Sequence, residues 1–125
     1  KMILGMQKTV LAQLLHPAVM LRISDTALYG NEYSLTQFMD DLTASIFVDS
    51  KESTSVSRNL QIEYVNQLIA IAGLGKASKH DNLAKTAALY QLTQIADTSV
   101  GWGADTATKA HKKYIDHLIA KALEA

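Results

Sequence analysis

Cysteine is absent from the chain, which removes disulfides, thiolate metal ligands and a cysteine nucleophile together, though it leaves the cellular compartment open. There is one proline, and aromatic residues make up only 6% of the sequence. Neither charge dominates, because 12 basic residues balance 12 acidic ones and no stretch gathers enough Lys and Arg to neutralise a run of phosphates. That balance argues against nucleic acid as a partner. The nearest approach to a basic patch, Lys109, Lys112 and Lys113, is diluted by Asp105 and Asp116 and reads as a solvated helix face. Long hydrophobic runs are also missing. The longest, Leu68 to Ala72, is far below the roughly 20 residues that a membrane-crossing helix needs, so no membrane insertion is expected. Gly5, Gln7 and Lys8 interrupt the start before a signal-peptide core can form.

What remains is the composition of a folding domain, 48% hydrophobic and 19% charged over 125 residues, enough for one core and too few for two. One domain over residues 1–125 is expected. Because the chain begins on Lys1, it is expected to be a piece of something longer.

Leu, Ala, Ile and Gln are plentiful, and apolar residues recur at steps of three and four, which predicts an all-α bundle of about six helices with mostly antiparallel neighbours. Ile3, Met6, Val10 and Leu14 form the first stripe, which His16-Pro17 ends. Pro17 opens a second helix that runs to Tyr29, with Gly30 as its stop. Ser34 and Gln37 read as a capping box for a third helix reaching Val48, with Leu35, Phe38, Met39, Leu42, Ile46 and Phe47 facing inward. Residues 49–54 form a hairpin loop. A fourth helix from Val56 places Leu60, Tyr64, Leu68 and Ile71 on one face beside Val65, and Gly73 and Gly75 close it. A fifth, capped within Ser78 to Asn82, uses Leu83, Ala87, Leu89 or Tyr90, and Ile95. The last, capped by Asp105, uses Ala107, Ala110 or His111, Tyr114, Leu118 and Ala122.

Sites of chemistry are hard to find in this pattern. The histidines, His16, His80, His111 and His117, are never three or four apart, and a spacing of six turns His111 and His117 about 240° from each other on one helix. They read as surface or capping residues. Asp40 and Asp41 are adjacent and diverge by about 100° on a helix, which suits an ion pair or a cap better than a shared acid and base. Across a hairpin of the third and fourth helices, Arg58 is the expected partner of Asp41. Serine stands in no nucleophile turn, and Gly73-Leu74-Gly75-Lys76 follows a helix rather than the strand that a phosphate loop requires. Gly101-Trp102-Gly103 either plugs the core or anchors a partner surface.

Phe38-Met39-Asp40-Asp41-Leu42 and Arg58 to Val65, with Val10-Leu11, His16-Pro17-Ala18 and Tyr33-Ser34-Leu35, resemble the C-terminal helical region of large bacterial zinc-dependent metalloproteases of the metzincin type. The order and spacing fit over most of the chain, although Phe47 stands where tryptophan is more usual and Gly101-Trp102-Gly103 is not a family feature. The resemblance implies an exported protein whose peptidase domain, with its zinc ligands and catalytic glutamate, lies upstream. No catalytic or metal-binding residue and no cofactor is then expected in this segment, and its partner is that peptidase domain. Asp40, Asp41, Arg58, Asn59, Gln61 and Tyr64 carry over as scaffold or docking positions, with Trp102 added from the residues themselves. The alternatives are a self-sufficient helical interaction module, for which an exposed apolar patch around Trp102 would speak, and an enzyme in its own right, which a pocket lined by His111, His117 and carboxylates would favour.

Overall fold

The computed structural model describes residues 2–25, 31–47, 55–74, 77–97, 102 and 105–124. Among them are six α-helices and no strand: α1 (Met2–Leu14), α2 (Pro17–Asp25), α3 (Asn31–Ile46), α4 (Ser55–Ala72), α5 (Asn82–Ala96) and α6 (Thr106–Glu124). None of them is long and apolar enough to cross a membrane. The expected all-α bundle is therefore the observed one. α4 lies at its centre, packed against α1, α3, α5 and α6, with its widest interface on α5.

Local chemistry sets the helix ends. The exposed His16 accepts a hydrogen bond from the Ala18 amide through Nδ1 (3.1 Å), which caps α2 just ahead of Pro17. Asp81 caps α5 by accepting from the Ala84 amide (3.0 Å). Asp105 caps α6 by accepting from the amide of Thr108 (3.0 Å) and from its hydroxyl (2.7 Å), and the hydroxyl bond chiefly holds its carboxyl below the ordinary range. α4 ends at Gly73, whose φ of 74° lies in the left-handed region. There the Leu74 amide reaches back to the Ile69 carbonyl (3.3 Å) and the Gly73 amide to the Ala70 carbonyl (3.2 Å), a Schellman closure. A Cβ at this position is strained, so Gly73→Ala should lower stability by about 1 kcal/mol, read from the urea midpoint.

One boundary differs from expectation. α3 starts at Asn31, so Ser34 lies almost one turn inside the helix and is not its cap. The expected stop at Tyr29 and Gly30, the end at Val48, the 49–54 loop, and Gly75, Gly101 and Gly103 fall outside the described residues.

The stripes of α3 and α4 face inward as expected. Leu35, Met39, Ile46 and Phe47 are buried on α3 and at its end, and Tyr64, Val65, Leu68 and Ile71 on α4, with Phe38, Leu42 and Leu60 partly buried beside them. The other three phases hold only in part: Ala87 and Ile95 on α5 and the His111 alternative on α6 are buried as expected, and the rest need correction. Among the residues of α1 whose burial is described and the one after it, Leu11 and Leu15 are buried, while Val10 is 49% exposed, because apolar residues occupy more than one side of that helix. On α5 both Leu89 and Tyr90 are exposed, and Ala84, Ala87, Ala88, Gln91, Leu92 and Ile95 turn inward. On α6 Ala107, Ala110 and Tyr114 are exposed, and the buried row is Thr108, His111, Ile115 and Ile119. Two polar residues can join that row because both have hydrogen-bond partners inside the protein.

Candidate functional site

Among the described residues, five buried side chains are polar: Thr43, Gln61, Gln91, Thr108 and His111. Burying such groups is costly unless each is satisfied. Thr108 is satisfied by Asp105 in the α6 cap, and two clusters satisfy the other four while taking up Asp40, Gln61, Tyr64 and Trp102 from the residues singled out by the sequence.

The first joins α3, α4 and α5. Thr43 Oγ1 lies 2.5 Å from the Tyr64 hydroxyl and donates to Gln91 Oε1 (2.7 Å), and Gln91 Nε2 donates to Asp40 Oδ1 (2.5 Å). A threonine hydroxyl has one hydrogen. Since it goes to Gln91, Tyr64 must be the donor to Thr43, so every proton in the chain points from the core toward Asp40 at the surface. Tyr64 is fully enclosed, and burial, opposed by the Thr43 bond and aided by the Asp40 charge, pushes its hydroxyl well above the ordinary tyrosine range. It stays a neutral donor.

The second cluster joins α3, α4 and α6 through Gln61, which is completely buried. Its amide donates to the Ile46 carbonyl (3.1 Å), and its Oε1 faces His111 Nε2 at 2.7 Å. The oxygen can only accept, so the proton sits on Nε2 of His111. Trp102 closes this end. Its ring meets Phe47 edge-on at 5.6 Å and His111 at 5.8 Å, and the Lys112 ammonium, itself held by Asp116 at 2.6 Å, stands 5.6 Å from its centre. Trp102 thus packs partly buried against the core, and its enclosed Nε1 has no hydrogen-bond partner among the described residues.

Burial first, and the Arg58 charge second, hold His111 below its ordinary value. A group depressed in this way contributes stability that is complete above the unfolded histidine value of about 6.5 and is lost as pH falls toward the lower folded value. The urea midpoint should accordingly fall between pH 7.5 and pH 5 more steeply in the natural chain than in His111→Gln, which keeps a polar side chain opposite Gln61.

The same contacts place the remaining expected residues. Going forward from Thr43 to Ile46 on α3 means going back from Tyr64 to Gln61 on α4, so these helices are antiparallel. Asp41 is therefore level with Asn66, eight residues and about 12 Å along the axis from Arg58. The expected Asp41 and Arg58 ion pair is not formed among the described residues. Asp41 instead accepts from Gln37 one turn earlier (2.9 Å), and the Arg58 charge acts on Asp105 and His111. Asn59 is exposed. Thr43 and Gln91 were missed because apolar periodicity passes over polar core positions, whereas His111 is one of the two alternatives expected in the inward row of α6 and is the one buried. The signal of the first two was positional, since Thr43 continues the row of Leu35 and Met39, and Gln91 that of Ala84 and Ala88.

Of the histidines, His16 and His117 are exposed, as expected of surface and capping residues. His111 and the half-buried His80 correct that expectation. His80 Nε2 bonds the Leu15 carbonyl (2.8 Å) and so pins the end of α1 against the start of α5. No three histidine, aspartate or glutamate residues gather as a metal-ligand set among the described residues.

No curated protein and no solved structure matches the chain. A protein-family model described as Met-zincin does match residues 1–54, the part that includes α1, α2 and α3 with Asp40, Asp41 and Thr43, and in that part the chain is similar to a metalloprotease family.

Proposed function

We propose that this chain is a non-catalytic accessory domain of a zinc-dependent metalloprotease, which docks onto the peptidase domain and stabilises it. The zinc, its ligands and the catalytic glutamate belong, in this reading, to the peptidase domain. The observation that carries the proposal is the Met-zincin similarity over residues 1–54. The geometry supports it in a different way. Thr43, Gln61, Gln91 and His111 are spent on helix-to-helix hydrogen bonds, and such buried networks hold a scaffold in a single arrangement. The rival reading, an interaction module centred on Trp102, needs that ring at the surface, whereas Phe47, His111 and Lys112 surround it.

The test is to express the peptidase region with and without this segment. Loss of the segment should lower the melting temperature or the turnover of the peptidase, and unchanged melting together with unchanged turnover would sink the proposal.

A further inference from the structure

We infer that the groove between α3 and α5 is the surface that meets the peptidase domain, and that it receives one apolar side chain flanked by an arginine or lysine. The inference rests on the accessory-domain reading above and adds the docking face and the chemistry of the partner.

The groove has a volume of about 180 Å³ and is lined by Thr36, Leu83, Thr86, Ala87 and Tyr90. A cavity of about 150 Å³ holds a benzene ring, so this space suits one leucine- or phenylalanine-sized side chain. Tyr90 at its edge is 46% exposed, a large amphipathic ring of the kind enriched at the centres of interfaces.

Charge decides the partner. α3 and α5 run parallel here, since Thr36 faces Ala87 across the groove and, one turn further along both helices, Asp40 meets Gln91. Asp40 therefore stands directly beyond the apolar lining, exposed to solvent. It touches no cation among the described residues. The sequence of α3 contains no Lys or Arg. The only cation of α5, Lys85, lies about 140 to 160° round the helix axis from Leu83, Ala87 and Tyr90. The Asp40 carboxylate is also held still, because the Gln91 amide that bonds it is fixed at its other end by Thr43 and, through Thr43, by Tyr64. A fixed, uncompensated carboxylate beside an apolar hollow is preorganised for a basic group next to an apolar one. The cleft beside Pro17 and Leu21 lacks this complementarity, for Lys79 and Asp81 on its wall carry opposite charges and Asp81 is committed to the α5 cap.

The chain and three variants are titrated by calorimetry into the separately produced peptidase region at low and at high salt. Asp40→Asn removes the charge and keeps an acceptor for Gln91, Tyr90→Ala removes an exposed ring, and Tyr114→Ala removes an equally exposed ring on α6. Matching urea midpoints establish that all three fold. The expected result is about tenfold weaker binding for Asp40→Asn and for Tyr90→Ala, a reduced salt dependence for Asp40→Asn, and less than about twofold change for Tyr114→Ala. Equal binding by all four chains overturns the inference and leaves the accessory-domain reading standing, with another face as the contact. Failure of the natural chain to bind overturns both.

Discussion

Tyr64→Ala should be the most damaging single substitution in the bundle, costing about 3 to 5 kcal/mol, the range for truncating a large buried aromatic ring. Tyr64 is fully buried on the central helix, edge-on to Phe47, and it donates the first hydrogen bond of the chain that ends at Asp40. Truncation leaves a cavity and takes the donor away from Thr43. Tyr64→Phe separates these effects. It keeps the ring and removes only the hydroxyl, and it should cost about 1 kcal/mol, the net value of a typical internal hydrogen bond. Urea denaturation of both variants measures the difference. Equal losses would mean that the network, rather than packing, dominates at this position.

Gln61→Leu should come next, at about 2 to 4 kcal/mol. A leucine of similar volume fills the space but strands two groups, the Ile46 carbonyl and the Nε2 proton of His111, and each unsatisfied buried group costs about 1 to 3 kcal/mol. The double substitution Gln61→Leu with His111→Leu removes the stranded imidazole along with its partner. It should be less damaging than the two single losses added together, and a double-mutant cycle on urea midpoints reads that coupling. Strict additivity would show that the 2.7 Å contact contributes nothing to the fold.

How far the sequence discloses this structure depends on the element. α3 and α4 were readable because their apolar residues keep a single helical row, from Leu35 to Ile46 and from Leu60 to Ile71. The start of α2 at Pro17, the caps of α5 and α6 and the left-handed Gly73 were readable because local chemistry alone sets them. α5 and α6 were phased only in part, with Ala87, Ile95 and the His111 alternative inward as expected. Their inward rows contain alanine, glutamine, threonine and histidine, whereas Leu89, Tyr90 and Tyr114, the more apolar choices, face solvent. Only the partners on other helices make that arrangement stable, and a single sequence does not display them.

The same reason divides the candidate site. Asp40, Gln61 and Tyr64 were named from a resemblance, and the structure ties each into an internal network. Thr43, Gln91 and His111, which complete those networks, have no sequence signal beyond their place on a helical row. The Asp41 and Arg58 pairing failed on register, because the fold sets those residues about two turns apart.

The most direct test of the accessory-domain account is the melting temperature of the peptidase region as this chain is added in increasing concentration. A ligand that binds only the folded state stabilises it by about 2.7 kcal/mol at one hundred times its dissociation constant, so the account predicts a melting temperature that climbs with added chain. A melting temperature that stays flat up to millimolar chain would contradict it.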